Sequence, residues 1–189
     1  MPLNLPIVLT WLRVVAIPLL VALYYFPDHW LTMQDRNLLA TVLFTGAAIT
    51  DWLDGWLARR WNQVSSFGAF LDPVADKLIV AAALIVLVKL SRVDALIAFV
   101  IIGREITISA LREWMAKVGE ARSVAVNMLG KFKTVAQLVA IPMLLYHQPI
   151  GAFHPQRVGT FLIWAAALLT VASMVYYLKL AAPRAFRAR

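Results

Sequence analysis

The sequence predicts an all-α integral membrane protein with about six transmembrane helices. Of its 189 residues, 62% are hydrophobic and only 15% are charged, and the mean hydropathy is +0.77. Such values are typical of membrane proteins. A helix that crosses a hydrocarbon core of about 30 Å needs roughly 20 mostly apolar residues, and several such runs follow one another with short polar connectors. No room remains for a separate soluble domain, so we expect one transmembrane domain over residues 1–189.

The spans can be placed in order along the chain. The first is expected to be retained, because it lacks a basic n-region, is longer than the apolar region of a signal peptide and has no convincing cleavage site after it. The second and third flank an acidic stretch, the fourth and fifth flank a basic connector, and the sixth precedes a basic tail. The predicted spans are residues 7–26, 38–57, 69–90, 93–115, 126–146 and 158–180.

The distribution of lysine and arginine predicts the orientation of these spans. With the N-terminus inside, the outer loops hold only Arg36, Lys89, Arg92 and Arg157, while most other loop cations fall on the inner side. The positive-inside rule therefore favours both termini in the cytoplasm. Basic inner loops also suit an anionic leaflet, which accounts for the net charge of +8 without a nucleic acid partner.

Four aspartates, close together in sequence, lie in or beside the second and third spans. One pair has i, i+3 spacing and the other i, i+4 spacing, so two antiparallel helices would present the pairs to each other. The four residues are Asp51, Asp54, Asp72 and Asp76. Ionisable groups inside a membrane are costly and usually face a bundle interior or an aqueous cavity. The ionisable groups inside the other spans also lie toward the inner side of the membrane. We therefore expect one polar cavity open to the cytoplasm.

Four carboxylates without a neighbouring histidine or cysteine form an oxygen-only site, which suits Mg²⁺, Mn²⁺ or Ca²⁺. The chain has no cysteine, and its three histidines all fall on the outer side, so a zinc site in this cavity is not expected. Arg59 and Lys77 could neutralise part of the acidic charge as salt bridges. Intramembrane carboxylates also mark cation transporters, a different class of function that requires access from both sides of the membrane.

The acidic stretch resembles the signature D-x2-D-G-x2-A-R-x8-G-x3-D-x3-D of the CDP-alcohol phosphotransferase family. The matching positions are Asp51, Asp54, Gly55, Ala58, Arg59, Gly68, Asp72 and Asp76. Further segments, REITISALREWMA and GKFKTVAQ, are similar to the bacterial phosphatidylglycerophosphate synthase branch. The N-terminal NLPIVLTWLR resembles that branch's N-x-P-N-x-L-T-x-x-R, with Ile7 where asparagine is common.

The resemblance implies a role for each matching residue. Asp51, Asp54, Asp72 and Asp76 would bind two metal ions, Mg²⁺ or Mn²⁺, and Asp76 would also be the catalytic base. Asp54, Gly55, Ala58, Arg59 and Gly68 would bind the CDP moiety. The acceptor would carry a phosphate, and positively charged side chains are the candidates to bind it. These candidates are Arg104, Arg112, Lys131 and Lys133. Glu105 and Arg112 lie seven residues apart and could instead form a structural ion pair.

The same resemblance implies a transferase of phospholipid biosynthesis in the bacterial cytoplasmic (inner) membrane. It would move a phosphatidyl group from CDP-diacylglycerol to sn-glycerol 3-phosphate and release CMP. Another acceptor alcohol remains an alternative, because the motif chemistry alone does not select the acceptor. Members of the family are often dimers, so the resemblance also allows a homodimer.

Overall fold

The structure, a computed structural model, describes residues 5–61, 66–117 and 128–185. They form six α-helices and one short 3₁₀ turn, with no β-strand among them, as the sequence predicts for an all-α fold. The helices are α1 Leu5–Ala22, α2 Met33–Trp61, α3 Ser66–Lys89, α4 Ala95–Lys117, α5 Met128–Tyr146 and α6 Pro155–Ala185, and the 3₁₀ turn Leu23–Tyr25 extends α1.

Four helices, α1, α2, α3 and α6, begin earlier than the apolar runs predict, and local chemistry explains the starts of α2 and α6. Before α2, the backbone N–H of Asp35 donates to Thr32 Oγ1 and the backbone N–H of Thr32 donates to Asp35 Oδ2, each at 3.2 Å. This reciprocal capping box satisfies backbone donors at the helix start. At α6, Pro155 occupies the first helical position, where its missing N–H has no cost.

Helix α1 packs against α2 and α3, α5 packs against α6 and α2, and α4 packs against α6 and α3. A central apolar core fills the bundle, with fully buried side chains from four different helices, including Leu20, Leu84, Ile101 and Leu144. Many large apolar side chains point outward instead, among them Phe99, Phe161 and Leu168. An apolar exterior around an apolar core is the pattern of a helix bundle in lipid.

Helices α5 and α6 approach each other closely at Gly159. A Cβ atom added there would lie 2.9 Å from Leu144 Cγ and 3.1 Å from the Ala140 carbonyl oxygen. Small residues allow such contact between membrane helices. Gly103 on α4 differs, because no atom lies within 4 Å of a Cβ added there.

Arg92, in the loop between α3 and α4, ties several helix ends together at one end of the bundle. Its Nη1 donates to the carbonyl oxygens of Leu144 and Leu145 at 3.1 and 2.7 Å, and its Nη2 donates to Asn37 Oδ1 at 3.0 Å. Tyr24 donates to the same Asn37 oxygen. Burial lowers the pKa of the Arg92 guanidinium and also that of His147, which Arg92 lowers further by charge repulsion.

Two of the described helices contain segments long and apolar enough to cross a membrane, Val8–Tyr25 and Pro155–Lys179. Helix α5 holds a shorter apolar segment, Phe132–Tyr146. The other three helices carry ionisable residues within their length, which lowers their mean hydropathy. Two candidate spans are therefore supported by length and composition, while the six-span topology stays a prediction.

Candidate active site

Three of the four signature aspartates have described side chains, and two of them meet at one arginine of α1. Arg13 Nη1 lies 3.0 Å from Asp51 Oδ1 on α2 and 2.6 Å from Asp76 Oδ1 on α3. The arginine side chain is only 1% exposed, whereas both carboxylates are 43% exposed. A buried cation thus joins two carboxylates that remain partly open to solvent.

The third aspartate, Asp72 on α3, is bound by Thr10, which lies one turn before Arg13 on α1. Thr10 Oγ1 donates a hydrogen bond of 2.6 Å to Asp72 Oδ1. Thr10 and Arg13 are three residues apart and therefore share one face of α1. That face consequently contacts Asp51, Asp72 and Asp76, which come from two different helices.

These groups line a cavity of about 480 Å³ that is built by α1 to α5. Asp51, Asp72 and Asp76 contribute carboxylates to its wall, and apolar side chains such as Phe44 and Ile79 line much of it as well. A mostly apolar cavity with a few convergent polar groups is the usual form of a ligand site. The sequence predicts a polar cavity open to the cytoplasm near the acidic stretch, and the polarity and the opening stay predictions because many lining residues are apolar.

Another part of the cavity wall is basic. Arg104 and Arg112 on α4 line it, and Lys133 on α5 forms an ion pair with Glu105, which is also within 3.5 Å of Arg104 Nη1. Lys133 is 1% exposed and Arg104 is nearly as buried. Among the described side chains, Glu105 thus has more cationic neighbours than one carboxylate can neutralise, which leaves an excess of positive charge beside the cavity.

Further contacts hold the basic side chains in place. Arg104 Nη2 donates to Ser173 Oγ at 3.2 Å, and Arg112 Nη2 donates to the Tyr177 hydroxyl at 3.3 Å. The Arg112 guanidinium also lies over the Tyr177 ring, 5.3 Å from its centroid. Helix α6 therefore holds two of the candidate phosphate ligands, Arg104 and Arg112, through its Ser173 and Tyr177 side chains. The ion pair that Glu105 makes is with Lys133 and Arg104 rather than with Arg112.

The sequence predicts that Lys77 could form a salt bridge to the acidic stretch. It lines the cavity and donates a hydrogen bond to Ser109 Oγ on α4.

Several predicted site residues have side chains outside the part that the structure describes. They are Asp54, Gly55, Ala58 and Arg59 in the last turns of α2, Gly68 in the first turn of α3 and Lys131 in the first turn of α5. The helices that carry them are the same ones that build the cavity wall.

The described residues can be tested for their fit to a divalent metal. No three of their acidic or histidine side chains are close enough together to hold a metal ion. The available donors are nevertheless carboxylate oxygens, the ligands that hard cations prefer. Arg13 already occupies the position of a cation between Asp51 and Asp76, which shows that these two carboxylates are arranged around a positive charge. The donor chemistry therefore fits a divalent cation that shares its carboxylates with Arg13.

Sequence reasoning assigned no role to Thr10 or Tyr177, and it favoured Arg13 only as a weaker candidate for the acceptor phosphate, whereas the structure pairs Arg13 with Asp51 and Asp76. Thr10 and Arg13 belong to the N-terminal motif, which was the available signal for their importance. Tyr177 has no such signal, because its contact with Arg112 joins helices that are 65 residues apart in the chain.

The family model for CDP-alcohol phosphatidyltransferases matches residues 3–172. A CDP-diacylglycerol–glycerol-3-phosphate 3-phosphatidyltransferase of Salmonella choleraesuis (strain SC-B67) is 48% identical over 183 residues, 96% of this chain and 96% of that protein. Proteins of the same name from Shigella flexneri and Escherichia coli (strain K12) are 48% and 47% identical over the same shares. The chain is thus similar to proteins of one name over nearly its whole length.

Proposed function

Because this chain belongs to the CDP-alcohol phosphatidyltransferase family, we propose that it transfers the phosphatidyl group of CDP-diacylglycerol to sn-glycerol 3-phosphate. The products are phosphatidylglycerophosphate and CMP, and the protein is a transferase of phospholipid biosynthesis. The observation that carries this assignment is the identity of 47 to 48% with the named relatives across 96% of the chain. The cavity supports it, because the carboxylates can hold metal ions and the excess of cations around Glu105 suits anionic substrates.

The family generally depends on divalent metals, and we assign the metal-binding role here to the four signature aspartates. Asp51, Asp54, Asp72 and Asp76 would hold two ions, Mg²⁺ or Mn²⁺. When bound, such ions neutralise the diphosphate of the donor and polarise the reacting phosphorus. Arg13 contributes by fixing the orientation of Asp51 and Asp76, and Thr10 does the same for Asp72.

The nucleotide end of the donor would lie against the last turns of α2 and the first turn of α3. Asp54, Gly55, Ala58, Arg59 and Gly68 are the proposed CDP-binding residues. Small residues on one helix face leave space for a flat base, and Arg59 offers a cation to the diphosphate. This assignment is supported by the match to the family signature.

The phosphate of the acceptor would lie on the basic wall. Arg104, Arg112, Lys131 and Lys133 are the proposed ligands, and three of them have described side chains beside Glu105. Arginine offers forked donors and lysine a compact charge to phosphate oxygens. Ser173 and Tyr177 limit the rotation of the two arginines, which reduces the entropy lost on binding.

The transfer itself needs a base for the acceptor hydroxyl. Asp76 is the proposed base, since its carboxylate borders the cavity and is oriented by Arg13. As the primary hydroxyl oxygen of the acceptor bonds to the phosphorus that carries diacylglycerol, its proton passes to Asp76. The bond from that phosphorus to the CMP oxygen breaks, and CMP leaves with the electron pair.

We further propose that the whole chain, residues 1–189, is one transmembrane domain of the bacterial cytoplasmic membrane. Its six helices would all span the bilayer, with both termini in the cytoplasm, and the enzyme could act as a homodimer. The outward-facing apolar side chains of α4 and α6 support burial in lipid. In that setting the acyl chains of the donor stay in the bilayer, which avoids exposing apolar surface to water.

The test is CMP release by the detergent-purified protein supplied with CDP-diacylglycerol and Mg²⁺. Parallel reactions contain glycerol 3-phosphate, serine, inositol phosphate or no acceptor. Release that depends on glycerol 3-phosphate is the expected result. Release with another alcohol would keep the family but overturn the acceptor, and no release under any condition, with uptake of metal by sealed vesicles, would favour a transporter.

A further inference from the structure

The segment GKFKTVAQ ends at Gln137, a residue to which the proposed chemistry gives no role. Gln137 lies on α5, is 4% exposed and lines the active-site cavity. Its Nε2 is enclosed and has no hydrogen-bond partner among the described residues. Buried polar groups are nearly always hydrogen-bonded, and each exception in a native protein calls for an explanation.

The position of Gln137 relates it to the acceptor end of the cavity. It follows Lys133 by four residues, so the two side chains share one face of α5, about 6 Å apart along the helix axis. Lys133 is part of the basic cluster with Glu105 and Arg104. A neutral amide next to these cations adds little to the binding of a phosphate, for which the cations are better partners.

The chemistry of the amide indicates the kind of group that it would bind. A half-turn about the last side-chain torsion, which is broad and roughly two-fold, exchanges the carbonyl oxygen and the NH₂ group. Gln137 can therefore offer the cavity either an acceptor or a donor. A neutral hydroxyl is the ligand group that matches both, since it donates one hydrogen and accepts two.

From this geometry we infer that Gln137 is a specificity-determining residue that binds a non-reacting hydroxyl of the acceptor. The inference rests on the proposed function. Glycerol 3-phosphate has a phosphate for the basic cluster, a primary hydroxyl for Asp76 and one further hydroxyl at C2. The amide of Gln137 binds that C2 hydroxyl and thereby selects the acceptor over alcohols that lack it.

The experiment compares two enzymes and two acceptors. The acceptors are glycerol 3-phosphate and 3-hydroxypropyl phosphate, which lacks only the C2 hydroxyl, and the enzymes are the wild type and Gln137→Leu. We expect the wild type to favour glycerol 3-phosphate by about tenfold or more in kcat/KM, because a site that hydrogen-bonds a hydroxyl rejects the analogue without it. Gln137→Leu should lose this preference, through a lower kcat/KM for glycerol 3-phosphate and an unchanged value for the analogue.

A purely structural role would give a different result. Gln137→Leu removes an amide without a partner, so its thermal unfolding without substrates should occur at the same or a higher temperature than in the wild type. Gln137→Met, which keeps an unbranched chain of similar length, provides a second variant if leucine packs poorly. Thr170→Val is the matched control, since Thr170 Oγ1 is also buried with no partner among the residues that the structure describes, but does not line the cavity.

Each outcome has a separate meaning. Equal loss of both acceptors in Gln137→Leu and Gln137→Met, or an unchanged preference in both, would overturn the role of Gln137 while leaving the proposed function intact. A changed preference in Thr170→Val would do the same. A wild type that releases CMP with neither acceptor would instead overturn the proposed function.

Discussion

Replacing Arg13 by glutamine removes the cation that joins Asp51 and Asp76. The side chain of Arg13 is 1% exposed, and its Nη1 lies 3.0 and 2.6 Å from the two carboxylates. We expect the variant to be much less stable than the wild type without metal and only slightly less stable with metal. The reason is that a divalent ion bound by the same carboxylates would compensate their charge when Arg13 is absent.

The expected loss in free energy of unfolding depends on how deeply Arg13 and its two carboxylate partners are buried. Removing one partner of a fully buried ion pair costs about 3 to 5 kcal/mol. Asp51 and Asp76 are 43% exposed, so water recovers part of that loss, and we take the low end, about 3 kcal/mol, without metal. With saturating Mg²⁺ the loss should fall to about 1 kcal/mol. For a chain of this length each kcal/mol shifts the midpoint by about 2 to 4 °C, which predicts a decrease of roughly 6 to 12 °C in EDTA.

Thermal unfolding in detergent can be followed by intrinsic fluorescence, since the chain has seven tryptophans. Wild type and Arg13→Gln are measured in EDTA and in Mg²⁺. Arg36→Gln is the matched control, because Arg36 is also nearly buried and pairs with an aspartate, Asp28, at 2.6 Å in the loop before α2. Its effect on the midpoint should be the same in both solutions. Equal decreases for Arg13→Gln with and without Mg²⁺ would refute the idea that arginine and metal share these carboxylates.

Three other predictions concern the carboxylates and the helix contact. Asp72→Ala should abolish turnover together with metal-dependent nucleotide binding, measured by CMP release and by equilibrium binding of CDP, and retained activity would exclude Asp72 as an essential ligand. Asp76→Asn should keep most of the nucleotide affinity but lower kcat by about 10² to 10⁴, the range of general-base catalysis; near-normal kcat would remove Asp76 from that role. Gly159→Ala should destabilise the protein by about 1 to 3 kcal/mol, because its methyl group would overlap Leu144 and the α5 backbone. Gly103→Ala, which meets no atom, should be neutral or stabilising by up to about 1 kcal/mol, and equal midpoints for the two glycine variants would contradict the close α5–α6 contact.

The helical fold follows from the sequence because each apolar run is long enough to identify a helix without knowledge of its neighbours. The six helices occur in the predicted order, and the family resemblance is confirmed by the comparisons. The proximity of Asp51 and Asp76 is also foreseeable in outline, since two antiparallel helices with a short connector bring their adjoining ends together. The starts of α2 and α6 are harder to predict from the sequence, because the capping residues of α2 and Pro155 of α6 lie outside the apolar runs.

Contacts between distant helices could not be derived in the same way. The meeting of Arg13 with Asp76 depends on how α1 rotates about its axis and packs on α3. The pairing of Lys133 with Glu105, rather than Arg112 with Glu105, likewise depends on α5 approaching α4. Periodicity identifies the face of a helix on which a residue lies, but many packings of six helices are compatible with the same faces.

The apolar core between the active-site cavity and the Arg92 end of the bundle also bears on whether ions can pass through the protein. Leu20, Leu84 and Leu144 are fully buried in this core, and their apolar side chains cannot replace the hydration shell of an ion. Each elementary charge that crosses a membrane at 100 mV releases about 2.3 kcal/mol, and a charged cavity open at both ends would dissipate that energy. In the proposed membrane setting, an apolar core beside the cavity would let the enzyme handle anionic substrates without conducting ions across the bilayer.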